Sequence, residues 1–241
     1  MEKILLMTGA SSDVGIKLLK EIKNDYTKIV CHYFNNDAKL VELNKQIGNK
    51  LILLKGNFND NKGIDDFVEE LKKLNLNITH VVHLPAKKSN PMKFHKTDDN
   101  DFIEGYNIAV VSIVKILKYV IPVMDKNGYG KIVFMLTSFT TNSVPKFQAA
   151  YITIKYALLG LMGDLAREYI PKGIRVNAVS PQMMETKFLS DMPDFVVKQN
   201  ASENPFGRNI TVEEVIPVFK LLLSEESDAI VGENVSVTGG G

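Results

Sequence analysis

The chain alternates short apolar runs with longer amphipathic stretches, and that alternation predicts the fold. Ile4 to Met7, Lys28 to Tyr33 (KIVCHY), Lys50 to Leu54, Ile78 to Leu84 (ITHVVHL), Lys131 to Leu136 (KIVFML) and Ile174 to Ser180 (IRVNAVS) are short and nearly continuous in apolar character. Runs of this kind read as strands buried on both faces. Between them the apolar positions fall at helical spacing. Val14 to Lys23 gathers Val14, Leu18, Leu19 and Ile22 on one side, and the next stretch gathers Leu40, Leu43 and Ile47. Further helices are predicted over Gly63 to Leu74, Phe102 to Met124, Gln148 to Tyr169 and Thr211 to Ser224. Six or seven strands alternating with helices predict an α/β fold, a doubly wound parallel sheet in three α/β/α layers, with residues 1–241 as a single domain.

Composition narrows the setting. With 241 residues, 45% hydrophobic and 24% charged, the chain can bury a sizeable core. A formal net charge of +1 gives no electrostatic footprint for nucleic acid or an anionic membrane, and neither is an expected partner. The single cysteine, Cys31, has no internal disulfide partner and sits in a buried strand, which fits a cytoplasmic protein. The amino terminus MEKILLMTGA has too short an apolar run for a signal-peptide core, and no apolar run approaches the roughly 20 residues of a membrane helix.

Candidate chemistry concentrates in SFTTNSVPKFQAAYITIK, Ser138 to Lys155. Tyr151 and Lys155 lie one helical turn apart on one face, and Ser138 follows a strand that delivers its last residues to the sheet edge. A Tyr-x-x-x-Lys pair arises about once by chance in a chain this rich in lysine, but a serine thirteen residues earlier cuts that to roughly one chain in twenty. A hydroxyl, a phenol and an ammonium can converge on one carbonyl. The ammonium is expected to lower the pKa of the phenol from its ordinary value near ~10 and so fit it for proton transfer. His80 and His83 are read as structural, because no second metal ligand stands at helical or hairpin spacing, and no metal site is expected.

The first strand runs into TGASSDVG and then a helix, the arrangement in which glycines and helical N–H groups receive a pyrophosphate. This loop and the Ser138, Tyr151, Lys155 spacing resemble the short-chain dehydrogenase/reductase family, nearest to 3-oxoacyl-acyl-carrier-protein reductases. The resemblance spans essentially the whole chain, from the loop to NPFGR (Asn204 to Arg208) and the closing DAIVGENVSVTGG. It implies a Rossmann fold, an NAD(P) cofactor and carbonyl reduction, with Tyr151 as general acid, Ser138 orienting the carbonyl and Lys155 holding the nicotinamide ribose. Asn107 would complete a proton-relay tetrad. The implied cofactor contacts are Gly9, Ser11, Ser12, Asp13, Val14 and Gly15 in the loop, Tyr33, Asn35 and Asn36 after the second strand, and Asn57 and Phe58 after the third. Pro85, Ala86, Lys155, Pro181 and Thr186 complete the set. No carboxylate stands among Tyr33, Phe34, Asn35 and Asn36 to repel a 2′-phosphate, so NADP is favoured, with NAD as the alternative. The resemblance further implies a homodimer or homotetramer and a small-molecule carbonyl or alcohol substrate.

Three places in the chain, one of them four residues long, depart from the family pattern. Asp13 replaces the middle glycine of the loop, and has two readings. It either caps its own helix and turns away from the phosphates, or it faces them at a cost of roughly 1 to 4 kcal/mol. His83, Leu84, Pro85 and Ala86 stand where the family has N-N-A-G, so the usual bracing of the central strands is expected to be lost. Gln182 replaces a glycine after Pro181. Residues 183–208 read as a mobile substrate lid, in which Met183, Met184, Phe188 and Met192 either line an apolar pocket or pack within the lid. Two other functions are compatible with these departures: a non-catalytic nucleotide sensor or scaffold of the same fold, and a sugar or polyol oxidoreductase.

Overall fold

The computed structural model describes residues 2–88, 91–190 and 192–241. Among these residues one parallel sheet is built from β1 (Ile4–Thr8), β2 (Lys28–Tyr33), β3 (Leu51–Lys55), β4 (His80–His83), β5 (Gly130–Met135), β6 (Ile174–Pro181) and β7 (Asn234–Val237). The strand order is β3-β2-β1-β4-β5-β6-β7. The chain therefore reverses its direction of travel between β1 and β4, and a crevice opens beyond the carboxyl ends of the strands there. The expected doubly wound α/β architecture is what forms.

Alternate residues of each strand feed two separate cores. Leu6, Val81, Ile132 and Phe134 pack with Phe67 of α3 (Asn61–Lys73), Ile113 and Ile116 of α5 (Ser112–Asn127) and Leu158 of α6 (Ala149–Tyr169). Leu5, Met7, Val82 and Val133 face the other way, onto Leu18 and Leu19 of α1 (Asp13–Ile22), Leu40 of α2 (Ala38–Gln46) and Phe219 of α8 (Val212–Leu223). Burial on both faces is why these strands read as continuous apolar runs rather than alternating ones. The helices 99–127 and 149–172 are long and apolar enough to cross a membrane by length and composition. Their apolar stripes, however, are part of the core against the sheet.

Local signals set the helix ends. Ser12 caps α1, its Oγ accepting from the Gly15 amide at 3.1 Å, and Asp60 caps α3 through the Gly63 amide at 2.8 Å. Thr211 and Glu214 form a reciprocal capping box at the start of α8. The helix expected over Phe102 to Met124 is longer and interrupted. It starts as α4 (Asp99–Tyr106), widens into a π turn over Asn107–Val111 and continues as α5. Such a turn shifts the side-chain register without ending the helix.

The brace expected to be lost at the end of β4 is rebuilt by His83. Register sets Thr8 beside His83. The imidazole Nε2 donates to the Ala109 carbonyl at 2.8 Å, so Nδ1 is the acceptor for the Thr8 hydroxyl at 2.7 Å. One buried ring thus joins β1, β4 and the π turn, and burial pushes its pKa down to about 3. Of the expected irregular connection Lys87 to Asn100, residues 89 and 90 lie outside the described residues. The expected lid carries a short 3-10 turn, Lys187–Leu189, and α7 (Asp194–Glu203); residue 191 lies outside the described residues.

Candidate active site

Beyond the carboxyl ends of β1, β4, β5 and β6 lies a cavity of about 460 Å³. One end is made by the β5 corner and α6, the other by the β1–α1 loop and the start of α2, and the segment 183–192 closes the side.

At the first end Tyr151 and Lys155 share the inner face of α6 as their spacing requires, and both line the cavity. The Lys155 ammonium is buried, donates to the Met135 carbonyl at 2.8 Å and lies over the Tyr151 ring, 5.7 Å from its centroid. Burial pushes Lys155 down to about 8. The expected depression of the phenol is not found. Burial pushes Tyr151 up to about 12, opposed only by a hydrogen bond from the Thr137 hydroxyl, because the ammonium sits against the ring face. The phenol therefore keeps its proton at neutral pH. Ser138 is 2% exposed in the turn after β5, and the corner's contribution to the described lining includes Leu136, Thr137 and Phe139 but not Ser138. Asn107 opens the π turn, where its side-chain amide donates to the Asn59 carbonyl at 2.9 Å.

At the second end Ser11, Ser12, Asp13, Val14 and Asn36 line the cavity, with Ala86, Pro181 and Thr186 along its floor and side. Gly9 has φ +69°, and an added Cβ would lie 3.2 Å from the Pro85 amide nitrogen; one at Gly15 would lie 2.5 Å from the Ala10 carbonyl. Both glycines are thus fixed by close backbone approach. The Gly9 amide donates to His32 Nδ1 at 3.0 Å, and His32 Nε2 donates to the Gly56 carbonyl at 3.2 Å, so a buried imidazole holds the loop from behind.

The expected adenine-side contacts divide. Tyr33 is half-buried and Asn35 exposed at the end of β2, outside the cavity's lining; Asn36 accepts the Ala38 amide at 2.9 Å. The Asn57 side chain accepts the Asn59 amide at 3.0 Å. The Phe58 side chain is 4% exposed and stacked on His32 at 4.0 Å between centroids, so its ring belongs to the core.

Asp13 follows neither of its two readings as stated. It starts α1, but Ser12 is the cap, and the Asp13 carboxylate is committed elsewhere: Oδ1 accepts from Lys39 Nζ and Oδ2 from the Lys187 amide, each at 3.0 Å. Burial alone would raise its pKa, but these two donors outweigh it and hold the carboxyl below the usual value. Lys39 lies just past the end of β2, where a search for any cation, rather than arginine, finds it. The Lys187 contact joins residues 174 apart and leaves no local signal. From Lys187 the chain passes to Phe188, whose ring stands 6.4 Å from that of Tyr151. Met183, Met184, Phe188 and Met192 all line the cavity, which resolves their role in favour of the pocket.

Comparison with known proteins agrees with this arrangement. The family described as enoyl-(acyl carrier protein) reductase matches residues 9–241. An uncharacterized oxidoreductase of Bacillus subtilis, YmfI, is 28% identical over 244 residues, covering 100% of this chain and 99% of the relative. The 3-oxoacyl-[acyl-carrier-protein] reductase of Buchnera aphidicola is 27% identical and covers 99% and 97% of the two chains. The crystal structure of YwfH, an NADPH-dependent reductase involved in bacilysin biosynthesis, superposes with a TM-score of 0.86 at 18% identity, covering 100% of this chain and 98% of that one. A matched family over nearly the full length, on this sheet and around this cavity, makes the chain a member of the short-chain dehydrogenase/reductase family, an NAD(P)-dependent oxidoreductase.

Proposed function

We propose that the protein reduces the carbonyl of a small ketone of 3-oxoacyl type, using NADPH. The observation that carries this reading is the single cavity that joins Tyr151 and Lys155, under an apolar wall of methionines and Phe188, to the Asp13 and Lys39 end. The residues present fit a dinucleotide. Gly9 and Gly15 bring backbone close to the α1 N-terminus, and Asp13, the feature most at odds with a pyrophosphate, is already neutralised by Lys39 and the Lys187 amide. Lys39 would meet a 2′-phosphate, Lys155 the nicotinamide ribose, and Thr186 the nicotinamide amide.

When bound, the nicotinamide supplies the hydride. The chain's own part is to place and move a proton. Tyr151, protonated at neutral pH, donates from its hydroxyl to the substrate oxygen as negative charge develops there. Lys155 holds its charge below about pH 8 and, fixed by the Met135 carbonyl, would hold the nicotinamide ribose beside Tyr151. Ser138 belongs to the same constellation by spacing, and Asn107 by resemblance to the family. The methionine wall, deformable and apolar, suits an acyl chain better than a polyol. The acyl-carrier-protein reductase among the relatives and the NADPH-dependent reductase among the structural neighbours support the same substrate and cofactor. Exposed Ile103, Tyr106 and Tyr156 on α4 and α6 support assembly of a homodimer or homotetramer through these helices. The reading places this enzyme in the cytoplasm.

The test is to titrate NADPH and NADH by fluorescence, then assay a ketone panel that includes 3-oxoacyl thioesters with wild type and Tyr151→Phe. Tighter NADPH than NADH binding, and turnover abolished by the substitution, are expected. Lack of binding of either nucleotide at millimolar concentration would overturn the reading.

A further inference from the structure

We infer that Asp13 is a positioning residue for the ketone: its carboxylate pins the Lys187 amide and thereby sets the Phe188 ring as the pocket wall beside Tyr151. This inference rests on the carbonyl-reducing reading above and deepens it. A glycine at position 13 has no side chain with which to make the contact. Asp13, Lys187, Phe188 and Tyr151 all line the one cavity.

The path from β6 to Phe188 shows what the contact does. Met184 bridges to Ile210, whose amide donates to the Met183 carbonyl at 3.2 Å, and Glu185 Oε1 accepts from Asn209 Nδ2 at 2.8 Å. Further along, the Lys187 amide donates to Asp13 Oδ2 at 3.0 Å. Phe188 follows directly, inside the 3-10 turn Lys187–Leu189, and its ring stands 6.4 Å from the Tyr151 ring. That turn is closed by its own bonds, from the Leu189 amide to the Thr186 carbonyl at 3.0 Å and from the Ser190 amide to the Lys187 carbonyl at 3.2 Å. A tight turn of this kind moves as a unit, so pinning Lys187 places Phe188. On its far side Ser190 Oγ accepts from Lys88 Nζ at 2.6 Å, and the ring is carried between the two contacts.

The carboxylate is itself held. It is half-buried in the first turn of α1, where the helix dipole favours an anion, and Oδ1 accepts from Lys39 Nζ at 3.0 Å. The ion pair is exposed enough to add little stability, but it orients the carboxylate, and a charged acceptor makes the stronger bond to the Lys187 amide. One side chain thus joins the nucleotide loop to the wall of the ketone pocket. This gives the aspartate a use that offsets its awkwardness beside a pyrophosphate.

The experiment compares Asp13→Gly, Asp13→Asn, Phe188→Ala and the Asp13→Gly/Phe188→Ala double variant with wild type and Tyr151→Phe. It reads kcat and KM for the best ketone of the panel at saturating NADPH, and NADPH affinity by fluorescence. Asparagine keeps a side-chain carbonyl to accept the Lys187 amide and removes only the charge, whereas glycine removes both. Asp13→Gly is expected to raise the ketone KM about tenfold with kcat within about threefold, the pattern of lost ground-state positioning. Asp13→Asn should keep KM within about threefold of wild type. In the Phe188→Ala background the effect of Asp13→Gly on KM should shrink to about twofold or less, because the ring it places is gone. A KM unmoved by Asp13→Gly, an equal rise in Asp13→Asn, or a rise that persists in full without the Phe188 ring each overturns the inference while carbonyl reduction stands. If wild type and Tyr151→Phe are indistinguishable on every ketone, carbonyl reduction itself fails and takes this inference with it.

Discussion

At the Tyr151 end of the cavity the reactive side chains keep the family spacing and are placed by one helix and one strand corner. At the Asp13 end the family pattern is changed, and contacts between distant residues take over. Tyr151 and Lys155 depend on four-residue spacing along α6. Asp13 is placed by Lys39 and Lys187, Gly9 by His32, and the β4 terminus by Thr8 and Ala109 through His83. A reacting group tolerates little displacement, whereas phosphate binding by amides and cations can be met by several arrangements. That difference explains how the nucleotide end can carry an aspartate in its loop while the catalytic spacing is kept.

The largest expected effect tests the end that keeps the family spacing. Tyr151→Phe removes the proposed proton donor while keeping the ring that packs near Phe188, and turnover should fall about 10³-fold with nucleotide affinity unchanged. Stopped-flow binding and steady-state kinetics on one preparation check this. A change in affinity as large as the change in kcat would mean that Tyr151 shapes the nucleotide site, and the two ends would not be separable.

Replacing the rebuilt brace should weaken the fold. His83→Leu leaves the Ala109 carbonyl without the ring donor and the Thr8 hydroxyl with only its 3.3 Å bond to the Val82 carbonyl, which is expected to cost about 2–3 kcal/mol in urea unfolding. The same ring makes stability depend on acid. Burial holds His32 at about 4 and His80 and His83 at about 3, below the ordinary 6.5. The folded state thus favours neutral rings, so their contribution is full above about pH 6.5 and is lost as pH falls toward 4 and 3. Unfolding midpoints that stay flat from pH 7 to 4 would show that the rings are not shielded.

How much of this was legible in sequence follows the same division. The strands are apolar runs because both sheet faces are covered, and Tyr151 with Lys155 is a local pattern on one helix. The π turn at Asn107–Val111 is hidden, since Ile108, Val111 and Val114 flank the core in either register. Phe58 reads as a neighbour of Asn57, and only the tertiary stack with His32 shows that it points inward. The Asp13 contacts bridge three segments and have no periodicity to betray them. The loss of the usual β4 motif is visible in sequence, but its replacement by His83 depends on register with β1.

The pH dependence of turnover separates the roles of the two groups on α6. Lys155 loses its charge through about pH 8, whereas Tyr151 stays protonated until about 12. The value of kcat/KM for the nucleotide, which follows the free enzyme, should fall about tenfold per pH unit above 8. Lys155→Arg, which cannot lose its proton in this range, should remove that limb at whatever activity remains. A limb that persists in the arginine variant would assign it to another group.

The smallest effect is also the one that judges the unusual end directly. Asp13→Gly restores the family residue and deletes the carboxylate that binds Lys39 and the Lys187 amide. If the pair acts as a neutralised obstacle, removing the carboxylate leaves a free ammonium at the nucleotide end, and NADPH should bind about tenfold more tightly, or ~1.4 kcal/mol. Lys39→Met should weaken NADPH by about fivefold and NADH by less, because only the former carries the additional phosphate. Weaker NADPH binding by Asp13→Gly would mean the opposite: that the carboxylate holds Lys39 and the lid segment in the binding arrangement, and that the departure from glycine is itself part of the site.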